Sequence, residues 1–227
     1  MVFWLVDVNP EKIKKYPELM IRIDEVRKMR LESTFAPTRE LAKYPTLFRD
    51  TQNPESFIVI PATTSENRRY IPFGFFDKNY IPLNSVYIIP NGDLFLFGVI
   101  SSIIHMDWVR YVAGRLKSDY RYSKDIVYNN FPFPQEITDK QREQIETLAQ
   151  TILDARTQFP DSSLADLYNP LTMPPKLLKA HEALDKAVDK LYRKEGFKSE
   201  TERVAHLFEL NKQLTSLIVN ESSKKKK

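Results

Sequence analysis

Residues 94–116 read LFLFGVISSIIHMDWVRYVAGRL, and Val99, Ile103, Trp108, Val109 and Val112 recur along them at helical spacing. The pattern predicts one central buried helix, with Gly114 at its end. Trp108, Phe95 and Phe97 are expected in the core rather than on a base-stacking surface. The most apolar part, Leu94 to Ile104, is too short to cross a bilayer and is interrupted by Gly98, Ser101 and Ser102. A soluble protein is therefore expected.

Upstream, Phe57–Ile60, Arg69–Phe75 and Val86–Ile89 read as strands of a small mixed sheet. Pro72 marks an edge or bulge, and Asn91-Gly92-Asp93 a turn. Further back, Thr38–Lys43 reads as a short helix and Glu18–Glu32 as an amphipathic one, with Leu19, Ile23, Val26 and Met29 on one face. Asn9-Pro10 supplies a cap and first-turn proline for a helical turn over 11–16. Phe3–Val8 reads as a buried strand, and so early an apolar strand suggests a chain cut from something longer.

Downstream of Pro132 and Pro134 the composition becomes helical in period throughout, with helices over Thr138–Gln158, Pro174–Arg193 and Ser199–Val219. Thr138 and Gln141 form a capping box, Pro174-Pro175 opens the second helix and Gly196 closes it. The expected fold class is α+β: a small mixed sheet with packed helices over 1–134, then a helical bundle over 135–220. Residues 221–227, ending in four lysines, read as a disordered basic tail.

The 34 basic residues face 30 acidic ones, for a net charge of +4, so any polyanion-binding surface must be local. The absence of cysteine excludes disulfides, thiolate metal sites and cysteine nucleophiles, and fits a cytoplasmic location. His105, His181 and His206 lie far apart within helical patterns and are expected to be structural. Five glycines form no GxG, leaving no loop for a nucleotide phosphate or S-adenosylmethionine. Asn129-Asn130-Phe131-Pro132 and Asn169-Pro170-Leu171 lack the paired prolines of an adenine methyltransferase's Asn-Pro-Pro-aromatic motif. No nuclease pattern stands out, and the chain alone is expected to be inactive.

Residues 114–133, GRLKSDYRYSKDIVYNNFPF, mix Arg115, Lys117, Arg121 and Lys124 with Tyr120, Tyr122 and Tyr128, broken by Asp119 and Asp125. Basic side chains supply phosphate contacts and purine-edge donors, and a carboxylate among them accepts from cytosine N4. A solvated loop with structural tyrosines fits these residues equally well. Arg115, Arg121, Lys124 and Ser123 are candidates for the DNA backbone, with Tyr120 and Tyr122 beside them. Glu66, Asn67, Arg68 and Arg69 form a second polar loop that suits base edges, or ordinary turn chemistry.

The phrases FWLVDVNPEKI, PELMIRIDEVRKMRLES, PTLFRD, SENRRYIPFGF, LFLFGVISSIIHMDWVRYVAGRLKSDYRYS, IVYNNFPFP and LADLYNPLTMPPKLLKAHEALDKAVDKLYR occur in that order. Together they resemble the carboxy-terminal part of MmeI-like, type IIL DNA methyltransferase/restriction enzymes over nearly the whole chain. The resemblance implies a DNA target recognition domain over 1–134 and a C-terminal helical domain over 135–220. It further implies a bacterial parent with an N6-adenine methyltransferase domain using S-adenosylmethionine, and magnesium if it also cleaves. No cofactor is expected in this chain; its implied partners are double-stranded DNA and that methyltransferase domain.

The family places a sequence-reading pair at Lys117 and Asp119, where lysine would donate to guanine N7 and O6 and aspartate accept from cytosine N4. A local salt bridge between the two is the competing explanation. Asn169 departs from the family's common aspartate and Phe133 from its common tryptophan. A protein-interaction module without DNA specificity is the rival to the whole reading.

Overall fold

A computed structural model describes the backbone of residues 3–224 and the side chains of residues 3–216. The chain forms two compact units, Met1–Asn53 and Pro54–Lys227.

In the first unit, Asn9 accepts from the Glu11 N–H and Pro10 opens α1, Pro10–Ile13, as the Asn-Pro pair predicts. Helix α2 spans Pro17–Leu31, and α3, Ala36–Glu40, runs into a 3₁₀ turn at Leu41–Lys43. Ile23 is buried and Leu19 and Val26 are half-buried, but Met29 is 58% exposed, so the predicted stripe is shorter than expected. Arg30 holds the following loop by donating to the carbonyls of Leu41, Tyr44 and Leu47 at 2.7–2.9 Å. The strand expected over Phe3–Val8 does not form. Every other described element of this unit is helical, so the segment has no ladder to join, and Phe3 is 47% exposed.

The second unit begins with β1, Ser56–Pro61, flanked antiparallel by β3, Gly74–Asp77, and β4, Val86–Pro90. After β1 the chain changes sheets at Ala62. Its N–H donates to Ser85 O and its carbonyl accepts from Tyr122 N–H, both at 3.0 Å. The next two residues, Thr63–Thr64, are β2 of a second sheet. In it β6, Asp119–Arg121, lies between β2 and β5, Gly114–Leu116. The α+β class stands, but the single small sheet is two, and all four pairings are antiparallel. Tyr70–Phe73, expected as strand, is irregular and largely buried.

The single helix expected over residues 94–116 is two, α4, Leu94–Ile100, and α5, Ile103–Val112, bent by 55° at Ser101-Ser102. The serines supply the break: Ser102 Oγ donates to Val99 O at 2.6 Å and withdraws that carbonyl from the helical ladder. Trp108, Phe97, Val99 and Ile104 are nearly inaccessible. After α5, Gly114 starts β5 rather than ending a helix.

Three long helices follow the turn at Lys124–Tyr128: α6, Asp139–Thr157, α8, Pro175–Tyr192, and α9, Glu200–Lys224, with the short α7 at Leu164–Leu167. The Thr138–Gln141 capping box is formed in both directions. Residues 221–224 continue α9 where a disordered tail was expected, and 225–227 lie outside the described residues. The composition change at 134 falls inside one hydrophobic core running from Ile58 through Phe97, Trp108, Ile145 and Leu184 to Leu207. No single helix among the described residues is long and apolar enough to cross a membrane.

Candidate nucleic-acid interface

Strands β5 and β6 form a hairpin in which Arg115 pairs with Tyr120 and Leu116 with Asp119, leaving Lys117 and Ser118 as a two-residue turn. Such turns match the strand twist only when at least one central residue takes positive φ, a place that favours glycine. Here that residue is Lys117, at φ 57°. An L-residue in this region costs about 1–2 kcal/mol, so the hairpin tip carries an exposed lysine at a stability penalty.

The ladder separates the faces. Tyr120 and Thr64 are buried on one side, while Thr63, Leu116 and Arg121 are exposed and Asp119 is half-exposed on the other. Arg115 closes the turn by donating to Ser118 O at 2.7 Å, lies 3.9 Å from the Tyr120 ring centre and pairs with Glu66 at 3.6 Å. The Glu66 N–H donates to Asp119 Oδ1 at 3.3 Å. Strand pairing thus joins two polar segments that lie about fifty positions apart, because β2 pairs with β6 and the 65–69 loop leaves β2 directly. Lys117 and Asp119 form no ion pair with each other, which removes the competing explanation of their spacing.

The other predicted residues divide. Arg121 and Lys124 are exposed without ion pairs among the described residues, and Asn67 is exposed with its N–H on Ser65 Oγ. Arg68 donates to Ala165 O at 3.5 Å and Arg69 pairs with Glu182 of α8 at 3.1 Å, so both lean toward the helices. Tyr122 is a correction: it is 1% exposed, its hydroxyl meets His105 Nε2 at 3.0 Å, and burial raises its pKa. It cannot touch DNA. Tyr120, 6% exposed, is a platform for Arg115 rather than a contact of its own. Ser123 Oγ accepts from Ile126 N–H and caps the following turn, engaging locally the oxygen expected at a phosphate.

Sequence reasoning expected His181 to be structural but missed Asp185, Arg156, Arg203 and the contacts they make. Asp185 of α8 accepts from Ile103 N–H at 2.7 Å and so caps α5 from another helix. His181 Nδ1 lies 3.1 Å from Ser101 O and its Nε2 2.7 Å from the Tyr168 hydroxyl, which the Arg156 guanidinium also binds. Burial holds His181 well below the usual histidine pKa, so it is neutral. Arg203 of α9 bridges Asp189 at 2.9 Å and Asp107 of α5 at 3.3 Å. Only the helical spacing of these residues was visible in sequence.

A Cβ on Gly74, Gly92 or Gly98 would meet Phe76, Ile58 or Ile145 within 3 Å, so these glycines serve packing. No group of acidic and histidine side chains among the described residues could hold a metal ion.

An exposed hairpin on one of two small sheets, braced by helices, is thus the surface on which the predicted residues meet. Residues 1–135 match the MmeI target recognition domain family, to which the chain belongs, and residues 137–219 match the MmeI C-terminal domain family. It is 42% identical over 213 residues, 93% of its length, to DNA methyltransferase A of Bacillus subtilis (strain 168). It superposes with a TM-score of 0.88 and 45% identity, over 94% of its length, on the type IIL restriction-modification enzyme MmeI solved in complex with DNA. The chain spans only 24% of the former relative and 28% of the latter.

Proposed function

We propose that this chain reads the DNA target of a cytoplasmic N6-adenine methyltransferase of the type II restriction-modification kind. It presents the target adenine to a catalytic domain outside this sequence, which flips the base and transfers the methyl group. The carrying observation is the strained, exposed Lys117 at a hairpin tip with Asp119 beside it, the two unpaired with each other. A two-stranded ribbon fits the major groove, where lysine reads guanine N7 and O6 and aspartate the cytosine N4. Asp119 keeps Oδ2 for this contact while Glu66 N–H holds Oδ1. Arg121 and Lys124 contact phosphates, and Arg115 shapes the hairpin.

Selection of bound duplexes from a random pool by the chain and by Lys117→Ala and Asp119→Ala variants tests the reading. Each variant is expected to relax preference at one G·C pair, worth about 1–3 kcal/mol, and to leave the other positions unchanged. An identical preference in all three proteins rejects the assignment. Tight capture of a protein partner without duplex binding rejects the function.

A further inference from the structure

Helix α8 presents a line of lysines that the recognition hairpin does not use. Lys176, Lys179, Lys186 and Lys190 are all exposed, with Ala183 between them. At 100° per residue these five positions fall within an arc of about 80° and run for about 21 Å along the axis. The opposite face carries the buried Leu177, His181, Leu184 and Val188. None of the four lysines forms an ion pair among the described residues. The helix's own acids lie off the line: Asp185 and Asp189 are buried, and Glu182, on its flank, pairs with Arg69.

That last pair connects the line to the reading surface. Arg69 belongs to the loop whose Glu66 N–H holds Asp119, so one short segment bridges the hairpin and the middle of α8. A solvated helix face of this length commonly intersperses both charges, as i,i+4 partners stabilise it. A single-sign line on a rigid rod repels itself and is suited to a linear polyanion, and duplex DNA carries one negative charge per about 1.7 Å of axis.

We infer that Lys176, Lys179, Lys186 and Lys190 form a second, sequence-independent contact with the phosphate backbone of the duplex, flanking the base pairs read by the hairpin. The inference rests on the DNA-reading function above. The helical segment then both braces the reader and grips the DNA.

The test uses the 227-residue chain, a labelled mixed-sequence duplex and a salt titration by fluorescence anisotropy. The variant K176Q/K179Q/K186Q/K190Q should bind all sequences more weakly while keeping the wild-type preference. Its slope of log affinity against log salt should flatten by about 0.9 for each lysine on a phosphate, up to about 3.6. An unchanged slope overturns the inference, as does an equal change per lysine removed in K12Q/K15Q/K28Q, where net charge alone would account for it. Amine acylation read by mass spectrometry gives a second measure: the four amines should be protected by duplex and react freely without it. If they stay reactive while the hairpin still selects sequence, the stripe fails and the reading function survives. If no duplex binds at all, both fail.

Discussion

The Tyr70 hydroxyl donates to the Asp185 carboxylate at 2.6 Å, joining the segment before β3 to the middle of α8 across 115 positions of sequence. The His181 ring stacks on Tyr70 at 4.1 Å, and the second Asp185 oxygen caps α5. One aspartate therefore holds the α4–α5 bend, and α5 leads directly into the hairpin. Asp185→Ala leaves a buried hydroxyl and a helix N-terminus without their acceptor, for an expected loss of about 3 kcal/mol by urea unfolding. Asp185→Asn, which keeps one acceptor, should lose less.

Burial pushes the Asp185 carboxyl up to about 6, although the hydrogen bonds from Tyr70 and Ile103 N–H pull the other way. The unfolded group titrates near about 3.9, so the native state binds the proton more tightly. This contribution to stability grows as pH falls from about 6 to about 4 and is lost as pH rises through the same interval. Urea midpoints of wild type and Asp185→Asn at several pH values check it. The difference should move in favour of the wild type at the acid end, and a constant difference contradicts it.

Lys117→Gly relieves the positive φ and is expected to raise hairpin stability by about 1 kcal/mol, seen as a higher melting temperature. The same variant should lose preference at the base pair proposed for Lys117. Greater stability with relaxed selection would identify the strain at the tip as serving recognition.

Arg115→Ala removes the hydrogen bond to Ser118 O, the cation–π contact with Tyr120 and the Glu66 pair together. The hairpin tip loosens, so sequence discrimination should fall, as is expected for Lys117→Ala. Arg121→Ala removes a guanidinium without an ion pair among the described residues, and should weaken all duplexes alike and flatten the salt dependence by about one unit. Parallel titrations of cognate and unrelated duplexes separate the two behaviours.

Gly98→Ala tests the shared core. A Cβ there lies 2.7 Å from Ile145 Cγ2 and 3.3 Å from Ala149 Cβ on α6. Alanine would add about 1 kcal/mol of helix propensity, but the close α4–α6 packing has no room, and a net loss of about 1–2 kcal/mol is expected. A single melting transition shifted downward would show the sheet and the helices unfolding as one body, whereas two separate transitions would contradict it.

The amino-acid sequence by itself determined the elements whose signals are local. Asn9-Pro10, the Thr138–Gln141 box, the apolar periods of α6 and α8 and the burial of Trp108 follow from neighbours a few residues away. The basic-aromatic phrase was legible too, and in the structure its Lys117 and Arg121 are exposed while Glu66 of the 65–69 loop meets Asp119. Where pairing partners are distant, the tertiary structure decided. Phe3–Val8 has strand composition but no ladder, and the helix over 94–116 bends because Ser102 turns its hydroxyl back onto Val99 O. Tyr120 and Tyr122 looked equivalent to Arg121, yet strand alternation and the His105 contact turn both tyrosines inward. Composition records what a side chain can bond to. Which partner it meets, and from which face of a strand, is set by chain closure over 53 residues where Asp119 meets Glu66 and over 115 where Asp185 meets Tyr70.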